Sequence, residues 1–279
     1  MPRRARSRWI VTAGITVALL VPAVIGAVYV SPSALFLDNT NRNAELTIGN
    51  AGTEPEEVRI ELKFGFVDTD SAGTPFVRLI DDPGPDLPSA TDWLGVYPMR
   101  VRLAPGEKRI VRVFARPPAD LPDGEYWSRL IVSGRQAGGG GVAGDTLVRA
   151  GVSVEVRLVT SVTFRKGELH TGITLNDITA AAYPDSLVVR AHLDRGGNAA
   201  YLGTVFFSLL DAGGTVVGEW STPLSVHVPV MRRFVFPLAP LAPGDYVLRL
   251  RAETTRPDIL EERVLPARTV SYSIPLTVE

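Results

Sequence analysis

The stretch that most constrains the fold is Pro98 to Gly134, in which apolar and charged residues alternate in three short runs. The first run, Met99 to Leu103, ends at a turn in which a proline sets φ and the following glycine is free to adopt positive φ. A second run covers residues 110–114, and a third begins at Tyr126 and continues to Val132. Alternation of this kind, interrupted by turn residues, predicts three strands of an antiparallel sheet.

The tyrosine that opens the third run suggests the type of sheet. A tyrosine directly after a glycine turn is typical of the corner of an immunoglobulin-like sandwich, where its hydroxyl bonds to the backbone a few residues upstream. The segment Leu121-Pro-Asp-Gly-Glu-Tyr126 has a counterpart in Leu241-Ala-Pro-Gly-Asp-Tyr246, and each opens an apolar strand with arginine on its other face. We therefore predict two structural tyrosine corners, Tyr126 and Tyr246, and two domains of one architecture.

Strand patterns continue along the whole chain after residue 30. The longest covers Thr146 to Phe164, with apolar residues at every second position from Val148 to Leu158. After a predicted linker at 165–168, eight short strands are expected between residues 173 and 278. No amphipathic helix is predicted, and the chain is rich in turn-forming glycine and proline, 26 and 22 residues. The predicted fold is all-β, with two immunoglobulin-like sandwiches in tandem, at residues 33–165 and 166–279.

The first residues predict export. Four arginines between positions 3 and 8 precede an apolar run from Trp9 to Val30, and no acidic residue occurs before Asp38. The run is long enough to span a bilayer, and no clean cleavage site follows it. Residues 1–32 are therefore either a cleaved signal peptide or a retained N-terminal membrane anchor. In both cases the rest of the chain is expected in the periplasm or extracytoplasmic envelope, since the arginines stay in the cytoplasm.

Several kinds of chemistry are disfavoured by the sequence. The chain has no cysteine, three scattered histidines and a net charge of −1, and it lacks a nucleophile elbow. The glycine-rich segment 139–146 has the spacing of a phosphate loop, but Asp145 stands where lysine is required and a strand pattern follows. The segment 68–73 begins like a calcium loop, but Leu79 occupies the position of the bidentate glutamate. We predict no enzymatic activity, metal, cofactor, small-molecule substrate or nucleic-acid partner, and we interpret the arginines of segments 99–113 and 128–157 as solvated.

One part of the chain resembles a known family. The segment Tyr97 to Val113, followed by Leu-Pro-x-x-Glu-Tyr and a long strand that ends in a basic residue, is similar to the N-terminal domain of periplasmic pilus-assembly chaperones of the PapD-like family. Leu37-Asp-Asn-Thr-Asn41 matches that family's first strand in part, so the resemblance covers residues 33–165. It implies a chaperone that stabilises a secreted pilus or coat subunit by lending it a β-strand at a sheet edge.

The resemblance also implies site residues. Val148, Ala150 and Val152 match the donated side chains, and Arg157 matches the cleft lysine that holds the carboxylate at the subunit's C-terminus. An arginine can bind a carboxylate through two parallel hydrogen bonds. The family's second cleft arginine falls at Asn41, which departs from the family pattern.

Two other functions remain open on sequence alone. If this domain's own core uses the apolar face of the long strand, nothing is left to lend, and the protein is instead a structural or adhesive envelope protein of two immunoglobulin-like domains, tethered by residues 9–30 if the signal is retained. A pilus or coat subunit would need a free donor strand and one incomplete domain, whereas enough strands are predicted in both domains.

Overall fold

The computed structural model describes residues 28–137 and 155–278, and these ranges are almost entirely β-structure. The first ten strands are β1 (Val28–Ser31), β2 (Ala34–Asp38), β3 (Asn43–Asn50), β4 (Glu56–Thr69), β5 (Pro75–Ile80), β6 (Leu94–Tyr97), β7 (Arg100–Leu103), β8 (Lys108–Ala115), β9 (Gly124–Gln136) and β10 (Glu155–Lys166). They are followed by β11 (Thr171–Ala182), β12 (Ser186–Gly197), β13 (Tyr201–Asp211), β14 (Val216–Val226), β15 (Val230–Pro237), β16 (Gly244–Glu253) and β17 (Val270–Val278). Two single-turn 3-10 helices cover Thr91–Trp93 and Glu261–Arg263, and no helix in the described ranges could span a membrane.

The first ten strands form two facing sheets. One has the order β1-β3-β8-β6, and the other has the order β2-β10-β9-β4-β5, with β7 beside β4. Alternate side chains of both sheets meet in one core, because successive residues of a strand point to opposite faces. The fully buried members of this core include Leu46, Ile60, Leu130, Val162 and Phe164.

The remaining strands form a second sandwich, with sheets β11-β12-β15 and β14-β13-β16-β17 around a separate core. The prediction of an all-β chain built from sandwiches is confirmed. The number of strands expected in this half was wrong, because the two strands predicted at 216–220 and 224–228 form one continuous strand, β14. Strand β13 holds β14 together, pairing with it from Tyr201 opposite Val226 to Leu210 opposite Val216.

Both corner tyrosines make the same local bond. The Tyr126 hydroxyl donates to the carbonyl of Pro122 at 2.9 Å, and the Tyr246 hydroxyl donates to the carbonyl of Ala242 at 2.9 Å. Each bond spans four residues and fastens a strand start to the turn before it. The similarity of the two segments in sequence is therefore also a similarity in structure.

The ends of the first sandwich differ from the sequence expectation. Strand β1 lies within residues 1–32, which were assigned to the N-terminal segment, and it pairs with β3 from Val28 opposite Asn50. At the other end, β10 continues through Arg165 and Lys166, which were assigned to a linker, because both residues remain paired with β9. The chain then turns at Gly167, where φ is +66° and an added Cβ would meet the Asp123 carboxyl group.

Candidate functional site

Strand β10 has a partner along its whole length on one side only. Its antiparallel pairing with β9 runs from Glu155 opposite Arg135 to Lys166 opposite Gly124. On the other side, β2 pairs in parallel with residues 161–165 alone. Within the described ranges, no strand pairs with residues 155–160 on that side. These six residues, which we call the open edge, are the candidate functional site.

The direction of the backbone groups follows from one hydrogen bond. The Ser161 N–H donates to the carbonyl of Ser33 at 3.2 Å, so Ser161 presents its backbone groups to the β2 side. Because this direction alternates along a strand, Glu155, Arg157 and Val159 present theirs to the same side. Backbone N–H and C=O groups at such an edge can pair with another strand.

The side chains of the open edge lie on two faces. Val156 and Leu158 point toward the core of the first sandwich and are half-buried, whereas Val162 and Phe164, further along the same face, are fully buried. The core is therefore less completely covered beside the open edge. Val159 is on the opposite, outer face and is 40% exposed.

The predicted donor residues Val148, Ala150 and Val152 lie outside the described residues. Arg157 is on the outer face of β10, where its side chain is 64% exposed and its Nε is 3.3 Å from Glu155 Oε1. Asn41 is exposed in a turn after β2, where its backbone N–H donates to Asp38 Oδ1 at 2.6 Å. The two predicted carboxylate anchors thus take part in local contacts, one at the open edge and one in the turn.

At its other end, β10 carries Arg165, which forms a buried ion pair with Glu125 of β9 where the two sandwiches meet. Arg165 Nε donates to Glu125 Oε2 at 2.9 Å, and Arg165 Nη1 donates to the Arg263 carbonyl at 2.7 Å. The other oxygen of Glu125 accepts from Trp127 Nε1 at 2.9 Å and from the Ala200 N–H at 3.2 Å. This carboxylate therefore links β9, β10 and the second sandwich.

A second cluster in the same region surrounds Arg129 and His227. Arg129 Nη2 lies 3.4 Å from His227 Nε2, and the His227 ring packs edge-on against Trp127 with centroids 4.7 Å apart. A cavity of about 220 Å³ adjoins this cluster. It lies between the sandwiches and is lined by residues of both, including Ser33, Arg129, Val159, Ser161, His227 and Arg256.

The interpretation of Arg129 as a solvated side chain was wrong, because the second sandwich covers it and leaves only 6% of the residue exposed. Its burial lowers the guanidinium pKa to about 10. Burial and the neighbouring Arg129 and Arg195 lower the His227 pKa to about 3, so this imidazole is neutral at ordinary pH. In the described part of the chain, no carboxylate forms an ion pair with Arg129.

Sequence reasoning missed Arg129, Arg165, Glu125 and His227 as a group. Each lies on a strand or strand end that alternates like the others, and only the packing of the second sandwich distinguishes them. The described ranges contain no cluster of three or more His, Cys, Asp or Glu side chains arranged to hold a metal.

Three solved chaperone structures are similar to this chain. The YadV chaperone matches with a TM-score of 0.44 and 12% sequence identity, over 89% of this chain and 100% of that one. The class 5 fimbriae chaperone CfaA matches with a TM-score of 0.42 and 14% identity, over 88% and 98%. The Escherichia coli chaperone DraB matches with a TM-score of 0.40 and 14% identity, over 90% and 97%.

Sequence comparisons give no closer relative. No protein-family profile matches the chain, and no curated protein matches it by sequence.

Proposed function

We propose that this protein is an exported, chaperone-like binding protein that takes up an extended strand of an envelope or pilus subunit at the open edge of β10. The observation that carries the proposal is the one-sided pairing of residues 155–160 within the described ranges. A sheet edge of this kind recognises extended segments, because main-chain hydrogen bonds give affinity and alternate side chains give specificity. The activity requires no enzyme chemistry, metal or cofactor.

The gain from strand addition has two sources. Each new backbone hydrogen bond contributes about 0.5–1.5 kcal/mol net. The added strand would also cover the half-buried side chains of Val156 and Leu158, and burial of apolar surface is favourable by about 25 cal/mol per Å². In the sequence, alternate positions before Val156 and Leu158 are also apolar, namely Val148, Ala150 and Val152. We propose that they continue this apolar face and lend their side chains to the incomplete core of the partner.

The carboxylate at the partner's C-terminus is proposed to bind an arginine near this edge. Arg157 is the first candidate, because its guanidinium is exposed beside the open edge. Arg129 is the second, because it lines the cavity between the sandwiches and has no carboxylate partner among the described residues. A guanidinium binds a carboxylate through two parallel hydrogen bonds, so either arginine suits this role. Asn41 is the third candidate, and it would bind a carboxylate less strongly because its amide can donate a hydrogen bond but has no charge.

The domain limits and compartment belong to the same proposal. We propose that the two immunoglobulin-like domains predicted at 33–165 and 166–279 comprise β1 to β10 and β11 to β17, and that export places both in the periplasm or extracytoplasmic envelope. The export signal in this proposal lies in the part of the predicted segment 1–32 that precedes β1, whether that part is cleaved or retained.

The direct test removes one backbone donor from the open edge. Val159→Pro deletes an N–H that points to the unpaired side of β10 and leaves the bonds to β9 in place. Val77→Pro is a matched control, because Val77 is also 40% exposed and lies on the sheet-edge strand β5. Its N–H also points away from its partner strand, since the Asp70 N–H bonds to the Thr74 carbonyl and the direction then alternates.

The measurement is co-purification of partner subunits from envelope extracts. We expect Val159→Pro to lose the subunits that wild type and Val77→Pro retain, while all three proteins unfold at similar urea concentrations. If Val159→Pro keeps the wild-type partners, strand addition at this edge is wrong, and the structural or adhesive envelope protein becomes the better account.

A further inference from the structure

We propose that the outer face beside the open edge selects the charge pattern of the strand that pairs with it. This inference rests on the proposed strand addition. The added strand would carry a basic residue opposite Glu155, an acidic residue opposite Arg157 and an apolar residue opposite Val159. The register of the sheet gives three rows of side chains that end at these residues.

The first row alternates in charge across four strands. Arg102 lies opposite Glu57, Glu57 lies opposite Arg135, and Arg135 lies opposite Glu155. Arg135 Nη2 and Glu57 Oε2 are 3.1 Å apart, which shows that the cross-strand contact is made. Opposite charges facing each other across strands are favourable. The row ends in Glu155, so a basic residue on the added strand would continue the alternation of charge.

The second row is arginine-rich. Arg100 lies directly opposite Arg59, followed by Ser133 and then Arg157 at the edge. Like charges that face each other across strands are destabilising. Among the described residues, Arg59 and Arg157 have glutamate partners only along their own strands, Glu61 at 3.7 Å and Glu155 at 3.3 Å. An acidic residue beside Arg157 would therefore offset an excess of positive charge in this row.

The third row becomes apolar toward the edge. Glu61 lies opposite Ile131, and Ile131 lies opposite Val159. Ile131 is 2% exposed, whereas Val159 is 40% exposed because no strand among the described residues covers its outer side. An apolar side chain opposite Val159 would extend this buried row.

The occupant is an extended segment of the exported subunit. Residues directly opposite each other on paired strands point to the same face, so the partner presents its three side chains at alternate positions. They follow the order basic, acidic, apolar if the added strand is parallel to β10, and the reverse order if it is antiparallel. A shallow groove of about 600 Å³ crosses the charged rows, lined by Glu57, Arg59, Arg100, Arg102, Arg135 and Glu155.

The absence of cysteine from the chain allows a quantitative test. Val159→Cys places one thiol at the open edge, and synthetic peptides with a single cysteine are captured as disulfides in a thiol redox buffer. The matched peptide carries glutamate two residues and lysine four residues from its cysteine, and the swapped peptide exchanges these two side chains. Both orders along the peptide are made, so that parallel and antiparallel addition are covered. Val77→Cys on β5 is the control for capture at another edge.

We expect the matched peptide to be captured roughly fivefold more than the swapped one at low salt, because two cross-strand pairs change from attraction to repulsion. Introducing Glu155→Lys and Arg157→Glu together into the Val159→Cys variant keeps these two charges on β10 complementary to each other. This double change should make the swapped peptide the preferred one. High salt should weaken it.

The other outcomes separate this inference from the proposed function. If both peptides are captured equally, and more than at Val77→Cys, strand addition stands and the charge selection is wrong. If neither peptide is captured above the level at Val77→Cys, strand addition at this edge fails and the charge selection fails with it.

Discussion

The two ends of β10 belong to one strand but have different surroundings. Residues 161–165 have strand partners on both sides, and on their outer face Thr163 is buried and Arg165 donates to the Arg263 carbonyl of the second sandwich. Residues 155–160 have a described partner on one side only. Both ends carry a glutamate–arginine pair, with side chains 1% and 12% exposed in Glu125–Arg165 but 51% and 64% exposed in Glu155–Arg157.

This difference in surroundings suits the covered end of β10 to stabilising the fold and, on the proposed function, the open end to binding. At the covered end, the backbone has strand partners on both sides, Arg165 forms an ion pair with Glu125, and contacts of that end join the two sandwiches. At the open end, the same kinds of group are left accessible, which costs little stability and, on the proposed function, leaves them available to a partner strand. We therefore expect equivalent substitutions to have large effects on unfolding at the covered end and small effects at the open end.

Truncation of apolar side chains should give the largest contrast. Phe164 is fully buried and packs edge-on against Trp93, with ring centroids 5.0 Å apart. Phe164→Ala is expected to lower the free energy of unfolding by about 4 kcal/mol, since it leaves a cavity in the core. Val159→Ala, at the exposed open edge, should change it by less than about 0.5 kcal/mol. Urea unfolding of the two variants measures both changes. Equal losses of unfolding free energy would contradict the difference between the two ends of β10.

The two ion pairs allow the next comparison. Glu125→Gln removes the charge that compensates buried Arg165, and breaking a buried pair costs about 3 kcal/mol. Glu155→Gln removes the equivalent charge from an exposed pair and should cost less than about 0.5 kcal/mol. Thermal or urea unfolding measures both changes. A small effect of Glu125→Gln would show that the contact between the sandwiches does not depend on this carboxylate.

The covered end should also make stability depend on pH through His227. In the folded protein its pKa is lowered from 6.5 to about 3, so between these values the unfolded chain binds more protons. The free energy of unfolding should therefore fall as the pH is lowered from about 6.5 toward 3. His227→Gln should flatten this part of the profile, whereas His170→Gln, at an exposed site, should leave it unchanged. A wild-type slope retained in His227→Gln would assign the dependence to other groups.

Much of the fold could be predicted from local patterns. Alternation located most of the strands, and the similar segments ending at Tyr126 and Tyr246 indicated two related sandwiches. Each of these signals is contained within a few residues, so it can be recognised in the sequence alone. The division of β14 into two strands was wrong, because β14 continues through Pro223, which it tolerates as a sheet-edge strand.

Little of the site could be predicted in the same way. Arg129 and Arg157 lie on the same face of neighbouring strands. No feature of the local sequence shows that one is buried and the other exposed. The open edge likewise depends on where β2 stops pairing with β10, which is a property of two distant segments. Long-range packing decides both features, and alternation along one strand does not report it.

The most direct test of the open edge is residue-resolved amide hydrogen exchange by NMR. In the free protein, the amides of Arg157 and Val159 should exchange rapidly, whereas those of Leu158 and Thr160, which point to β9, should be protected. Addition of the partner subunit should protect Arg157 and Val159 as well. If these two amides are already protected in the free protein as strongly as those of residues 161 and 163, the edge is closed by the chain itself and the account is wrong.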